Sequence, residues 1–287
     1  MNLESWTEIE IQTPFRTLAA KRWGPDGGIP VIGLHGWLDN ANTFDGIAPL
    51  LPQLQLVALD LPGHGRSEHR PPGMPYHYSD YVDDVIAAAD TLGWERFLLL
   101  GHSMGGGVAV FTAGAFPERV RGLLLIEGLG AVSGEMDDGP QRMRHAVLEH
   151  QRKGDKAPSR PRSFQTLVRA RAQAGHIGTS SAETLVRRSA AQNGQGAWWQ
   201  SDPRLDIPAA YPFSEDYVRP FLKRIDAPVL LILAEEGLLR KRPYFRSRPE
   251  LIRHLKTVWL PGNHHLHLDT PRPVAKVIAE FLVNEYF

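Results

Sequence analysis

The sequence predicts an α/β fold: a mostly parallel, doubly wound sheet with one inserted helical cap. Residues 31–35 and 56–60 form short, almost wholly apolar runs, which are typical of parallel strands covered by helices on both faces. Similar runs alternate with stretches of helical spacing along most of the chain. This alternation fails only from about residue 129 to residue 213, and we interpret that stretch as an insertion.

The N-terminal elements follow one another closely. Residues 6–12 and 16–23 alternate partly between apolar and polar side chains and are separated by Thr13-Pro14, which favours an antiparallel edge hairpin. The strands at 31–35 and 56–60 enclose a short helix at about 43–51. We then expect a helix over 79–92, a strand leading to Ser103, a helix over 104–116 that Pro117 stops, and a buried strand over 122–127.

The remaining chain divides into the insertion and a return to the sheet. Helices are expected at 140–152, 163–174 and 181–191, followed by the pair Trp198-Trp199, which we expect to line an apolar pocket over Ser103. Strands at 229–234 and 257–260, a helix at 249–255 and an amphipathic helix at 273–286 complete the core. The predicted units are therefore a core of 1–128 and 214–287 and a helical cap insertion of 129–213, called the inserted segment below.

Composition excludes several classes of function. The 287 residues carry 32 Lys+Arg and 32 Asp+Glu, so no global field favours nucleic acid or an anionic membrane. The chain contains no cysteine, which excludes disulfides, thiolate metal sites and a cysteine nucleophile. With no targeting pattern and no apolar run of membrane-spanning length, we expect a cytoplasmic protein without cofactor or metal. The oligomeric state cannot be read from the sequence.

The stretch Gly101-His102-Ser103-Met104-Gly105 is the centre of the predicted site. It follows a buried strand and precedes a helix, and its G-x-S-x-G spacing is that of a nucleophile elbow. Such a turn exposes the serine Oγ at a helix N-terminus, where the backbone N–H of Met104 would face a developing oxyanion. The alternative is a glycine-rich turn that carries a passive serine.

A serine nucleophile needs a base and a second oxyanion donor. Three histidines follow the last predicted strand; we favour His264 as the base, because it comes directly after Gly262-Asn263, and expect His265 and His267 to be solvated or packed against the last helix. The loop after His35 offers the N–H of Trp37 as the second donor. His35 itself is expected to hold this loop.

These motifs together resemble the α/β-hydrolase superfamily. The matching residues are His35-Gly36-Trp37, then residues 60–67, then Ser103 in its elbow, then Gly262-Asn263-His264, and they cover almost the full chain. More narrowly, the chain is similar to the serine hydrolase-like proteins, whose substrates are poorly defined. The resemblance implies a Ser–His–acid mechanism, and it implies that residues 60–67 brace loops without taking part in catalysis.

The acid is where this chain departs from the superfamily pattern. Most members carry an Asp after the strand that corresponds to residues 229–234, and Gly237 stands at that position here. Some members, such as certain haloalkane dehalogenases, place the acid after the preceding strand, where this chain has Glu127. A carboxylate directly after a buried apolar run is rarely without a partner, and we favour Glu127. Glu235, Glu236 or no acid at all remain alternatives.

The leading hypothesis is a cofactor-independent serine hydrolase that cleaves a small ester, thioester, lactone or related acyl substrate. Ser103 would attack, His264 would transfer the proton, Glu127 would orient the imidazole, and Trp37 and Met104 would bind the oxyanion. Alternatives are hydrolysis of a C–C bond in an activated diketone and a ligand-binding pseudoenzyme, which the unusual acid favours. Burst kinetics with a nitrophenyl ester would separate enzyme from pseudoenzyme. A nucleic-acid-binding role has little support, because the basic run at 240–242 is short.

Overall fold

A computed structural model describes residues 6–134, 138–153 and 161–286, so parts of the inserted segment and the extreme termini lie outside the description. The strands are β1 (Trp6–Gln12), β2 (Thr17–Trp23), β3 (Ile29–Leu34), β4 (Leu54–Leu59), β5 (Phe97–His102), β6 (Val120–Ile126), β7 (Ala190–Asn193), β8 (Gly196–Trp199), β9 (Val229–Ala234) and β10 (Leu255–Leu260). The helices are α1 (Asp80–Thr91), α2 (Met104–Ala115), α3 (Gly139–Lys153), α4 (Phe164–Gly175), α5 (Thr179–Ser189), α6 (Glu215–Lys223), α7 (Leu266–Asp269) and α8 (Pro271–Tyr286).

Eight strands form one sheet in the order β1-β2-β4-β3-β5-β6-β9-β10. β1 pairs antiparallel with β2, and β2 pairs antiparallel with β4, while the remaining neighbours are parallel. The predicted edge hairpin and the mostly parallel, doubly wound α/β sheet are thus confirmed. The carboxyl ends of β3, β5, β6, β9 and β10 therefore meet along one edge, where sites collect in open α/β sheets.

Alternate residues of the central strands supply two hydrophobic layers. On one face, Leu99, Leu125 and Leu231 pack with α1, α2 and α6. On the other face, Leu100, Leu124 and Leu230 pack with the inner side of α8. Because both faces are covered, each central strand must be apolar at successive positions, which explains the runs seen in the sequence.

The inserted segment contains α3, α4, α5 and the small antiparallel hairpin β7-β8. Its helices coincide within two residues with those predicted, and a separate small apolar cluster around Val168, Leu185 and Val186 joins α4, α5 and β8. Side-chain hydrogen bonds tie it to the core: Asn40 and Asn42 each donate to a backbone carbonyl of α5, at 2.9 and 2.8 Å.

Three local predictions differ from the structure. The helix expected at 43–51 is a pair of 3₁₀ turns, Ala41–Phe44 and Ala48–Leu50, the second of which begins around a proline. The helix expected at 249–255 is a single 3₁₀ turn, Pro249–Leu251, and β10 already begins at Leu255. Helix α6 was not predicted; Pro220 inside it obscures its helical pattern, although Val218 and Leu222 are buried. None of the described helices is long and apolar enough to cross a membrane.

Candidate active site

Ser103 occupies a sharp turn between β5 and α2. Its φ of 51° and ψ of −111° lie outside the regions that L-residues favour, as expected for a nucleophile elbow. The flanking glycines permit this geometry: a Cβ at Gly105 would lie 2.0 Å from the carbonyl oxygen of Leu34, and one at Gly101 would lie 2.6 Å from that of Gly105. The start of α2 is therefore packed directly onto the end of β3.

His264 lies in the loop between β10 and α7 and faces Ser103. Its Nε2 is 2.8 Å from Ser103 Oγ, and its Nδ1 is 3.1 Å from Glu127 Oε2. An ionised Glu127 can only accept, so Nδ1 carries the proton and Nε2 is free to accept from the serine hydroxyl. The structure thus brings together Ser103, His264 and Glu127 in hydrogen-bonded sequence.

Glu127 directly follows β6 and adopts a left-handed φ of 50°. Its side chain faces the end of β9 and the loop that follows, where the N–H groups of Ala234, Leu238 and Leu239 donate to it at 2.8, 2.9 and 3.3 Å. A Cβ at Gly237 would lie 2.3 Å from both carboxylate oxygens. The Glu127 carboxylate therefore fills the space that a side chain at position 237 would need.

The loop after β9 offers no competing acid at this position. Glu235 and Glu236 have exposed side chains, while their backbone N–H groups donate to Leu260 and Gly262 at 3.0 Å. Neither is among the residues that contact His264 in the described structure. Of the three carboxylates considered from sequence, Glu127 is the one in contact with the histidine.

Opposing effects act on the Glu127 carboxyl. Burial raises its pKa, but the hydrogen bond with His264 and that from the Ala234 N–H outweigh burial and lower the pKa below its usual value. The group is therefore a carboxylate at neutral pH. Its negative charge stabilises positive charge on the adjacent imidazole.

The two predicted oxyanion donors lie at the ends of adjacent strands. Met104 is the first residue of α2, so its N–H is one of those that lack an intrahelical acceptor. Trp37 lies in a tight turn after β3, in which the N–H of Asp39 donates to Gly36 at 3.1 Å and Leu38 has a φ of 59°. Because β3 pairs with β5, this turn and the elbow are neighbours along the sheet edge.

A small cavity of about 70 Å³ adjoins Ser103. Its walls include Met104, Glu127, His264, Tyr78 and Tyr244. Trp198 and Trp199 do not line it; they line a separate cleft of about 820 Å³ together with Leu38 and residues of α4. The expectation that the tryptophan pair lies directly over Ser103 is therefore wrong, because β8 places it on the Leu38 side of the site.

His265 and His267 are both buried, which excludes the first of the two alternatives expected for them, that they are solvated. His267 Nε2 is 2.8 Å from Thr43 Oγ1, and His265 Nε2 is 3.3 Å from Asp39 Oδ2. Asp39 also pairs with Arg171 of α4. Sequence reasoning missed this cluster, because nothing in the local pattern brings residues so distant in the chain together.

Two other polar groups, His35 and Asp60, have the structural roles expected for them from the sequence. The N–H of Leu61 donates to His35 Nε2 at 2.9 Å, so His35 Nδ1 is protonated and donates to the Gly36 carbonyl at 2.7 Å. Burial lowers the pKa of His35 to about 4, which keeps the ring neutral. Asp60 accepts from the buried Arg188 of α5 and fixes that helix to the core.

The sheet order and the serine elbow at its edge, with histidine and carboxylate in contact, define the class of α/β hydrolases. The family model described as "alpha/beta hydrolase fold" matches residues 29–271, and the chain belongs to that family.

Within the family, the chain is similar to proteins named serine hydrolase-like. The zebrafish (Danio rerio) "Serine hydrolase-like protein" is 32% identical over 96% of this chain and 88% of its own length. The human "Serine hydrolase-like protein 2" is 35% identical over 96% of this chain and 94% of its own. A solved structure of a hypothetical protein from Pseudomonas aeruginosa PAO1 has a TM-score of 0.91 and 41% identity, covering 96% and 99% of the two chains.

Proposed function

We propose that the protein is a cofactor-independent serine hydrolase that cleaves a small ester, thioester, lactone or related acyl substrate through an acyl-enzyme. The observation that carries the proposal is the continuous hydrogen-bonded path from Ser103 Oγ through His264 to Glu127, at 2.8 and 3.1 Å. A serine, an imidazole and a carboxylate in this geometry are the arrangement that activates a hydroxyl for attack on a carbonyl carbon.

In the acylation step, Ser103 Oγ bonds to the carbonyl carbon of the substrate and its proton passes to His264 Nε2. Glu127 stabilises the imidazolium, while the N–H groups of Trp37 and Met104 bind the tetrahedral oxyanion. The intermediate collapses as the C–O or C–S bond breaks, and His264 protonates the departing alcohol or thiol. A water molecule, deprotonated by His264, then hydrolyses the acyl-enzyme and regenerates Ser103.

The inserted segment, 129–213, is proposed to act as a cap that selects the substrate. Its support is the cleft of about 820 Å³, a size common for small-molecule sites. Trp198, Trp199 and alanines of α4 and β7 contribute apolar walls, and Leu38, next to Trp37, also lines the cleft. We therefore expect the cleft to bind an apolar part of the substrate whose carbonyl lies at Ser103.

The ligand-binding alternative is less well supported than the enzyme. Its main argument was the absence of an acid after β9, and Glu127 within 3.1 Å of His264 removes that argument. Hydrolysis of a C–C bond would use the same serine and histidine, and no feature of the described residues favours it over acyl-ester chemistry.

A fluorophosphonate probe and a nitrophenyl ester test the proposal. We expect the probe to label the protein once, at Ser103, and the ester to give a burst of nitrophenol that reports the acyl-enzyme. The Ser103→Ala variant should lose both signals. Labelling of that variant at the wild-type level would refute the assignment.

The cap is tested by Trp198→Ala, with Tyr211→Ala as the control in the same segment, since Tyr211 is 71% exposed. We expect Trp198→Ala to change the ratio of kcat/KM between esters of different acyl length by about tenfold. One or two methylenes in an apolar pocket contribute a discrimination of this size. The control should retain the wild-type profile. An unchanged profile in Trp198→Ala would contradict the proposed role of the cleft.

A further inference from the structure

Asp39 is a buried carboxylate that three other segments of the chain approach. Arg171 Nη2 of α4 hydrogen-bonds to its Oδ1, while His265 Nε2 and His102 Nδ1 lie 3.3 and 3.6 Å from its Oδ2. Its side chain is 1% exposed. Burial raises the pKa of Asp39, but Arg171 and the neighbouring histidines outweigh this effect and hold the pKa well below its usual value, so the group is charged.

Asp39 and the two histidines near it are close in sequence to groups of the proposed active site. His102 precedes Ser103, His265 follows His264, and Asp39 itself is two residues beyond Trp37. The packing leaves little freedom, because a Cβ at Gly36 would lie 2.9 Å from both Asp39 Oδ2 and His102 Nδ1. His102 Nε2 also donates to the carbonyl of His264 at 3.0 Å and thereby joins the serine turn to the histidine loop.

Arg171 supplies the cation of this cluster. One ligand atom from each of Asp39, His102 and His265 lies within 4.8 Å of the others, a spacing that would suit a metal ion. The guanidinium already occupies the cation's place, since its Nη2 bonds to Asp39 and is 3.2 Å from His265 Nε2. The cluster is therefore an ion pair between the inserted segment and the core.

We infer that the Asp39–Arg171 pair positions the active site: it makes docking of the inserted segment a condition for the correct placement of Ser103, His264 and Trp37. This inference rests on the proposed function. Asp39 is a positioning residue that acts through neighbouring backbone. Arg171 has the same role but also lines the cleft beside Trp198, so its variants are expected to change KM as well, whereas Asp39→Asn is not. Loss of Arg171 leaves the buried Asp39 carboxylate without compensation, and loss of Asp39 leaves the partly buried Arg171 guanidinium without its carboxylate partner; in either case the loops around the remaining charge must move. A displacement of about 1 Å at reacting groups costs on the order of 10²-fold in rate.

The test compares Asp39→Asn, Arg171→Met and the double variant. Their readouts are the rate of fluorophosphonate labelling of Ser103 and the kcat and KM for a nitrophenyl ester. For Asp39→Asn we expect labelling and kcat to fall by about 10- to 100-fold with KM within about threefold, because Asp39 does not line the substrate cleft. The double variant should be no worse than the poorer single variant, since it contains no lone buried charge. Arg171→Lys, which keeps the positive charge, should retain part of the kcat that Arg171→Met loses.

Arg188→Met is the matched control for a purely structural effect. Arg188 is another arginine of the inserted segment, more deeply buried than Arg171; it pairs with Asp60 and Glu8 of the core, but its partners are not adjacent to Ser103 or His264. We expect it to lower the melting temperature at least as much as Arg171→Met while kcat stays within about twofold.

Two results would overturn the inference: Asp39→Asn labelled at the wild-type rate, or Arg188→Met losing kcat in the same proportion as Arg171→Met. An unlabelled Ser103 in the wild-type protein would instead refute the proposed function itself. The two failures are therefore distinguishable in a single set of measurements.

Discussion

Two pairs of histidine and carboxylate lie side by side at the edge of the sheet, and their surroundings differ. Glu127 contacts His264 and accepts hydrogen bonds from three backbone N–H groups, one at the end of β9 and two in the loop after it. Asp39 contacts His265 and bonds to the guanidinium of Arg171. In the first pair, backbone dipoles hold the carboxylate and leave its full charge to act on the imidazole. In the second, a permanent cation already balances the charge.

The same residue types are thereby suited to different tasks. Where the carboxylate has no permanent counter-charge, it stabilises the histidine most strongly when the ring becomes an imidazolium, as it would during attack by Ser103. Where an arginine already neutralises the carboxylate, protonation of the histidine is stabilised less, and the pair serves to hold the loops in place. The predictions below test this distinction, beginning with the largest expected effect.

The largest effect is expected from Glu127→Gln. The amide keeps the shape but removes the charge, and its NH₂ group opposes the N–H donors that now face the carboxylate. We expect kcat for a nitrophenyl ester to fall about 10²- to 10⁴-fold with little change in the affinity for a substrate analogue, by analogy with amide substitutions in related triads. If turnover stayed near the wild-type rate, the contrast between the two pairs would be wrong.

The next effect concerns the space shared by Glu127 and Gly237. Glu127→Gly removes the acid at a φ that glycine accepts, and adding Gly237→Asp places a carboxyl where the Glu127 oxygens lie now. We expect the kcat of the double variant to be at least about tenfold higher than that of Glu127→Gly. This is only part of the full contribution of a triad acid. Steady-state kinetics on both variants check this. A double variant no faster than the single one would indicate that position 237 cannot direct an acid at His264.

The pH dependence of the unfolding free energy should distinguish Glu127 from Asp39, by an effect smaller than the changes in kcat. Both have a pKa that folding lowers, so each stabilises the native state above its unfolded pKa and loses that contribution as the pH falls through the folded value. In urea unfolding, the decrease in unfolding free energy that Glu127→Gln or Asp39→Asn causes should therefore become smaller as the pH is lowered. Because the pKa of Asp39 is held well below its usual value, its deficit should persist to lower pH. Deficits that do not change with pH would contradict these assignments.

The smallest effect is expected from Glu235→Gln and Glu236→Gln. Both side chains are exposed on the loop after β9, and only their backbone takes part in its hydrogen bonds. We expect each to change kcat by less than about tenfold, the range left for adjustment of the loop. A larger loss of kcat in either variant would indicate that the acid lies in this loop and would contradict the assignment of Glu127.

The sequence by itself determined the features that depend on local pattern. The apolar runs specified the parallel strands, because covering both faces demands apolar residues in succession. The G-x-S-x-G spacing specified the turn at Ser103, since its strained backbone needs glycines within two residues on either side. Glu127 could be singled out as a carboxylate at the end of a buried apolar run, whereas Gly237 was singled out by the resemblance to the superfamily, most members of which carry the acid there.

Only the tertiary structure decided which groups meet. Glu127 and Ala234 are far apart in the chain, and the parallel pairing of β6 with β9 alone brings the carboxylate to its backbone donors. The burial of His265 against Asp39 and Arg171, and the place of Trp198 in the cleft beside Leu38, likewise depend on how the inserted segment packs on the core. Such contacts join residues that share no local periodicity, so no pattern in the sequence could specify them.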